Sequence, residues 1–206
     1  MDTTLDVLVI ESHPGAADRA VGELTEAGHA VHRCHDAATA FPCAGVDGPE
    51  RCPVDRHVDV ALLVRRGVVP SPTPFEDGVP CALRAGIPVV EHGTDLHDPY
   101  VEHLSARVGT DESVSAACGR AVTEAMRPLA AQVEAALVPF LTANGLPDDA
   151  VEVTLEARRD DLRVHLRARG DHQIGSLLTG QLSVKAVDVV RQQRRTWSSI
   201  EVDSEL

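Results

Sequence analysis

Residues 57 to 67, HVDVALLVRRG, hold an apolar run that only Asp59 interrupts between Val58 and Val64. A strand with one solvated face alternates apolar and polar residues, whereas a strand apolar at nearly every position is covered on both faces. Two other stretches carry this signature, LDVLVIES (5 to 12) and IPVVEHG (87 to 93). After the first of them Ala17, Val21, Leu24 and Ala27 recur at helical spacing up to Gly28, so it reads as strand, helix, stop. A short second strand, HAVHRCH, follows at once. Residues 68 to 78, VVPSPTPFEDG, contain three prolines and are irregular, and VPCALRAG is a short helix beginning near Pro80 and closing at Gly86. The order β-α-β-loop-β-loop-α-β predicts an α/β fold with an open, doubly wound, mostly parallel sheet. Binding surfaces in such folds form beyond the carboxyl ends of the strands.

Past the polar stretch at 94 to 112 the pattern changes. Ala117, Ala121, Val122, Ala125, Leu129, Val133, Ala136, Leu137 and Leu141 form one long apolar helical stripe, which Pro128 and Pro139 are expected to kink or split. Gly145 and Pro147 stop it. AVEVTLEAR and DLRVHLRAR then alternate with period two around the turn RRDD, with Val151, Val153, Leu155, Leu162, Val164 and Leu166 on the inner face. An amphipathic helix at about 172 to 193 and a strand, WSSIEVD, complete a smaller α+β unit of order α-β-β-α-β. The domain boundaries read from the sequence are 1–110 and 111–206. Glu152, Glu156, Arg163 and Arg167 leave one sheet face in water, a shape common in oligomerisation and docking units.

Composition narrows the partners. The 206 residues carry a formal charge of −13 and only one lysine, Lys185. Phosphate neutralisation needs clustered cations and base stacking needs aromatic rings, which are 2% of the chain, so nucleic acid is excluded as a partner. The basic run RQQRR (191 to 195) reads as a solvated helix end. The Arg-for-Lys and Ala-rich bias fits a GC-rich bacterial genome. The N-terminus has no basic signal region and no stretch approaches a membrane span, which predicts a cytoplasmic protein with no membrane partner.

The stretch VLVIESHPGAADRAVGELTEAGHAV resembles the start of a response-regulator receiver domain, in which a strand ends in acids and leads into a helix closed by Gly. VDVALLV and IPVVEHG stand where the third and fourth receiver strands belong, so the resemblance covers roughly residues 5 to 94. It implies a receiver-like scaffold. It also implies positions for phosphotransfer chemistry, which this chain fills differently. Glu11 and Ser12 stand in place of the acidic pair that holds Mg²⁺, Val64 in place of the phosphoacceptor Asp, and Glu91, His92 and Gly93 where a hydroxyl residue is expected. No strand carrying the expected lysine follows, as Lys185 is too far along. The expectation is a degenerate receiver without phosphotransfer.

The five cysteines raise a separate question. In the expected topology Cys34 ends the second strand, Cys43 and Cys52 lie in the loop leaving the same edge, and Cys81 opens a helix into the fourth strand. His13, His35 and His92 come from loops or strand ends at that edge. Such convergence suits a tetrahedral Zn²⁺ or an iron–sulfur cluster, because thiolates are soft ligands. The spacing C-x8-C-x8-C is unlike the C-x2-C knuckle, so free thiols and a Cys43–Cys52 disulfide or redox pair stay open beside the metal. Placement at a helix N-terminus makes Cys81 the expected reactive thiol, whereas Cys118 reads as a small core residue. HPG at 13 to 15 is a generic anion-binding turn without a dinucleotide motif. Glu11, Glu91, Asp95 and His92 form a candidate acid–base cluster, and no catalytic triad is legible.

These residues support three functions. The first is a non-catalytic regulatory or scaffold protein with a pseudo-receiver domain, working through a protein partner or self-association. The second is a metal or redox sensor using Cys34, Cys43, Cys52 and Cys81 with Zn or an iron–sulfur cluster as cofactor. The third is a small-molecule enzyme at the strand-end edge.

Overall fold

The computed structural model describes residues 4–35, 43, 45, 51–67, 71–93, 98–158, 161–170, 172–193 and 197–206. The chain divides into two compact units, Met1–Val122 and Thr123–Leu206. The sequence-based boundary at 110/111 falls just before a helix, whereas the division between the units falls inside that helix.

The first unit contains β1 (Asp6–Glu11), α1 (Asp18–Glu26), β2 (Ala30–Arg33), β3 (Val60–Arg65), α2 (Gly78–Arg84), β4 (Val89–Gly93) and β5 (Ala106–Arg107), and it ends in the first turns of α3 (Val114–Ala143). The five strands form one parallel sheet of order β2-β1-β3-β4-β5, a flavodoxin-like α/β arrangement. Every residue of β3 is buried, as its unbroken apolar run requires. Leu8, Ile10, Ala61, Leu63 and Val89 pack with Val79 and Ala82 of α2 in one cluster. Strand alternation turns the buried Val7, Val9, Leu62, Val64 and Val90 to the opposite face.

Three local features depart from the sequence reading. The fifth strand lies in the polar stretch at 94 to 112, and it carries a cation, Arg107. The helix expected near Pro80 starts at Gly78, so Cys81 sits in its interior turn and its carbonyl accepts the Ala85 N–H. The helix α3 is not split at Pro128 or Pro139 but runs through both as one element. Burial of Val133, Leu137 and Leu141 on its inner face offsets the lost backbone hydrogen bonds.

Gly93 ends β4 opposite Arg65, and a Cβ there would stand 2.4 Å from the Arg65 carbonyl oxygen. The close approach of β3 and β4 at their carboxyl ends therefore requires glycine.

In the second unit, the rest of α3 is followed by β6 (Val151–Arg158), β7 (Asp161–Ala168), α4 (Ser176–Arg191) and β8 (Ser199–Glu205). The sheet order is β6-β7-β8, antiparallel in the hairpin and parallel where α4 makes the crossover. Val151, Val153, Leu162, Val164 and Leu166 pack under Val133, Leu137 and Leu141 of α3 and Leu178, Leu182, Ala186 and Val190 of α4. The other face carries ion pairs, among them Arg163–Glu201 at 2.8 Å and Arg167–Glu205 at 3.1 Å. This is the one-sided sheet the alternation predicts. No helix among the described residues is long and apolar enough to cross a membrane.

Candidate functional site

Parallel strands bring their carboxyl ends to one edge, and in register Glu11 of β1, Val64 of β3 and His92 of β4 stand side by side. Val64 is fully buried. The Glu11 carboxylate accepts the Ala17 N–H at 3.1 Å and pairs with Arg33 at 3.4 Å, so it serves the start of α1. Ser12 is tied into the same edge: its N–H donates to the Val64 carbonyl, its carbonyl accepts the Thr73 hydroxyl at 2.8 Å, and its hydroxyl lies 3.0 Å from His13 Nδ1.

On the other face of the sheet the edge is closed by a buried ion pair. Arg65 Nε donates to Glu76 Oε1 at 2.8 Å, and both side chains are 0% exposed. Glu76 Oε2 accepts the Thr73 N–H at 2.9 Å in a capping box that starts the 3-10 turn Pro74–Glu76, and it lies 3.5 Å from the Tyr100 hydroxyl. Burial and the Glu76 charge push the Tyr100 phenol up to about 12, so it stays a neutral donor. Sequence reading did not single out Arg65, Glu76 or Tyr100. The only local signal was T-P-F-E, a Thr three residues before a Glu.

The acid–base cluster expected from Glu11, Glu91, Asp95 and His92 is not brought together among the described residues. Asp95 lies outside them, and the consecutive Glu91 and His92 point to opposite faces of β4. Glu91 is instead paired with Arg107 at 2.9 Å, and Arg107 also reaches Asp98 at 2.7 Å. Burial first, and then the neighbouring Asp98 charge, raise the Glu91 carboxyl to about 7. Burial lowers the His92 imidazole below its ordinary value.

The cysteine expectation has a mixed outcome. All five cysteines are free thiols, so Cys43 and Cys52 are not paired. Burial, and after it the charges of Cys43, Cys52 and Cys81, push the Cys34 thiol up to about 12. Thiols from three other segments thus lie within electrostatic reach of Cys34. Among the described residues, however, no three His, Cys, Asp or Glu side chains stand in ligand geometry around a common point. Cys81 lacks the helix-terminal position expected of a reactive thiol, and Arg84 donates to its sulfur at 3.3 Å. Cys118 is a core residue of α3, its thiol also pushed up to about 12 by burial. The crevice at this edge, lined by Glu11, Arg33, Cys34, His35 and Phe75, holds about 10 Å³, the space of about one water.

In the second unit, Leu177 and Val184 of α4 are 79% and 64% exposed. With Phe140, Gly180 and Gln181 they line an open groove of about 510 Å³, rimmed by Lys185 and Asp188.

Comparison with family models found no match, and comparison with curated proteins found none.

Proposed function

We propose that the chain is a non-catalytic cytoplasmic regulatory protein: a receiver-like domain without phosphotransfer, coupled to an α+β unit that binds a second copy of the chain. The observation that carries this reading is the side chain at the end of β3. Val64 stands there, buried between Glu11 and His92, and has no oxygen to phosphorylate. Glu11 is engaged with Ala17 and Arg33, and the adjoining Arg65 is locked to Glu76. Among the described residues, the crevice beside Glu11 and Cys34 holds about 10 Å³, too little for an organic substrate.

The contact surface is the groove on α4. Leu177 and Val184 flank Gly180, where an added Cβ would meet nothing within 4 Å. A two-fold axis passing between Gly180 and Gln181 lays Leu177 of each copy on Val184 of the other, an isologous arrangement. Charge favours the same occupant. The chain carries −13 overall, yet its single lysine and Asp188 balance each other at this rim, so the groove is a place where two acidic copies meet with little local repulsion.

Sedimentation equilibrium tests the contact. The wild-type chain is expected to form a two-chain species. Leu177→Glu with Val184→Glu is expected to give single chains with unchanged folding, because exposed substitutions alter stability by about 0.5 kcal/mol or less. A wild-type chain that stays single at every concentration overturns the self-association.

A further inference from the structure

Three of the four cysteines at the sheet edge are not accounted for by packing. Cys34 is buried and belongs to the core cluster, but Cys43, Cys52 and Cys81 are only partly buried, which is not the habit of cysteines acting as small core residues. Their supporting elements are nevertheless packed together. A Cβ at Gly78 would stand 3.0 Å from the Cys34 sulfur, so that sulfur rests on the first turn of α2. Cys81 lies three residues further along the same helix face. Cys52 precedes the 3-10 turn Pro53–Asp55, whose Val54 packs against the cluster containing Cys34, Val79 and Ala82. Gly45 comes close to Cys52, a Cβ there standing 3.5 Å from its sulfur, and Cys43 is two residues before it.

A second observation concerns His35, the residue after Cys34. Both of its ring nitrogens are buried and have no hydrogen-bond partner among the described residues, although its ring meets Phe75 edge-on at 6.2 Å. Two buried imidazole nitrogens without partners are costly, and a polar group brought beside them would relieve that cost.

We propose that Cys34, Cys43, Cys52 and Cys81 bind one thiophilic divalent cation of the Zn²⁺ class, with His35 beside them. This site goes beyond the regulatory reading and does not depend on it. Four thiolates are the donor set of a closed structural zinc site, and binding replaces their protons with one ion. Because the donors do not stand in ligand geometry as described, binding includes a contraction of the thiols around the ion. The ion then ties the β2–β3 connection to α2, across the same edge where a receiver would carry its phosphoryl group.

The test is titration of the reduced full chain with Co²⁺, followed by displacement with Zn²⁺, alongside elemental analysis of protein purified without chelators. One equivalent of Co²⁺ is expected, with the visible bands of tetrahedral thiolate coordination, bleached by Zn²⁺. Zn²⁺ is also expected to protect four thiols from a thiol reagent while leaving folding intact. Cys81→Ser and Cys52→Ser, both at partly buried positions, are expected to lower Zn²⁺ affinity at least tenfold, and the far-ultraviolet circular dichroism of each variant controls for folding. Absence of thiolate bands with unprotected thiols, a disulfide among the four cysteines in the purified protein, or iron with acid-labile sulfide in place of zinc each overturns the proposal.

Discussion

Glu76→Ala is expected to destabilise the first unit by about 3–5 kcal/mol, because it leaves the Arg65 guanidinium buried and without its carboxylate. Arg65 and Glu76 are both fully buried and 2.8 Å apart, and the same carboxylate caps the 3-10 turn through the Thr73 N–H. Replacing both partners with apolar residues, Arg65→Met with Glu76→Leu, is expected to recover part of that loss, since it removes the buried cation together with its carboxylate, although not the cap on Thr73. Urea unfolding followed by fluorescence of Tyr100, the chain's single tyrosine, reads the first unit. Trp197, the single tryptophan, reads the second, where no change is expected. A double variant as unstable as Glu76→Ala would show that the pair does more than neutralise itself.

A pH dependence is expected from Glu91. Its folded carboxyl is raised from 4.5 to about 7, chiefly by burial, so the folded state holds a proton that the unfolded state releases. The stabilisation from the protonated form is fully present below about pH 4.5 and is lost as pH rises through about 7. Glu91→Gln keeps a neutral side chain at every pH. Relative to this variant the wild type is expected to lose on the order of 2–3 kcal/mol between pH 5 and pH 8. Asp98→Asn removes one repelling carboxylate and is expected to shrink the difference. Parallel stability curves for wild type and Glu91→Gln across that range would contradict the assignment.

The parts of the fold legible in the sequence are those in which one-dimensional pattern and burial coincide. The runs around Leu8, Leu62 and Val90 are apolar because both faces of the parallel sheet are covered, and the alternation in β6 and β7 follows from one wet face. The fifth strand was hidden because two residues, Ala106 and Arg107, carry no period. The start of α2 differs by two residues because proline favours the first helical position, whereas here the helix begins at Gly78 and Pro80 is its third residue. The lock between Arg65 and Glu76 was invisible because it joins a strand end to a proline-rich loop, and neither residue type signals burial. The cysteines show the reverse. The topology places Cys34 and Cys81 on elements that meet at one edge, but it does not set the distances among the four thiols.

The proposed receiver-like reading, with its missing acceptor, has a second support: among the described residues, the acidic and basic groups at this edge are already engaged. A phosphorylatable edge needs an accessible carboxylate and room for Mg²⁺, whereas here Val64 is buried, Glu11 is bonded to Ala17 and Arg33, and Glu76 is consumed by Arg65. The proposed regulatory function therefore turns on the absence of phosphoryl transfer. Incubation of the full chain with Mg²⁺ and radiolabelled acetyl phosphate, followed by intact-mass measurement, tests it directly. The expected result is no incorporated label and an unchanged mass, while acid-stable, hydroxylamine-labile label on any aspartate or glutamate would contradict the account.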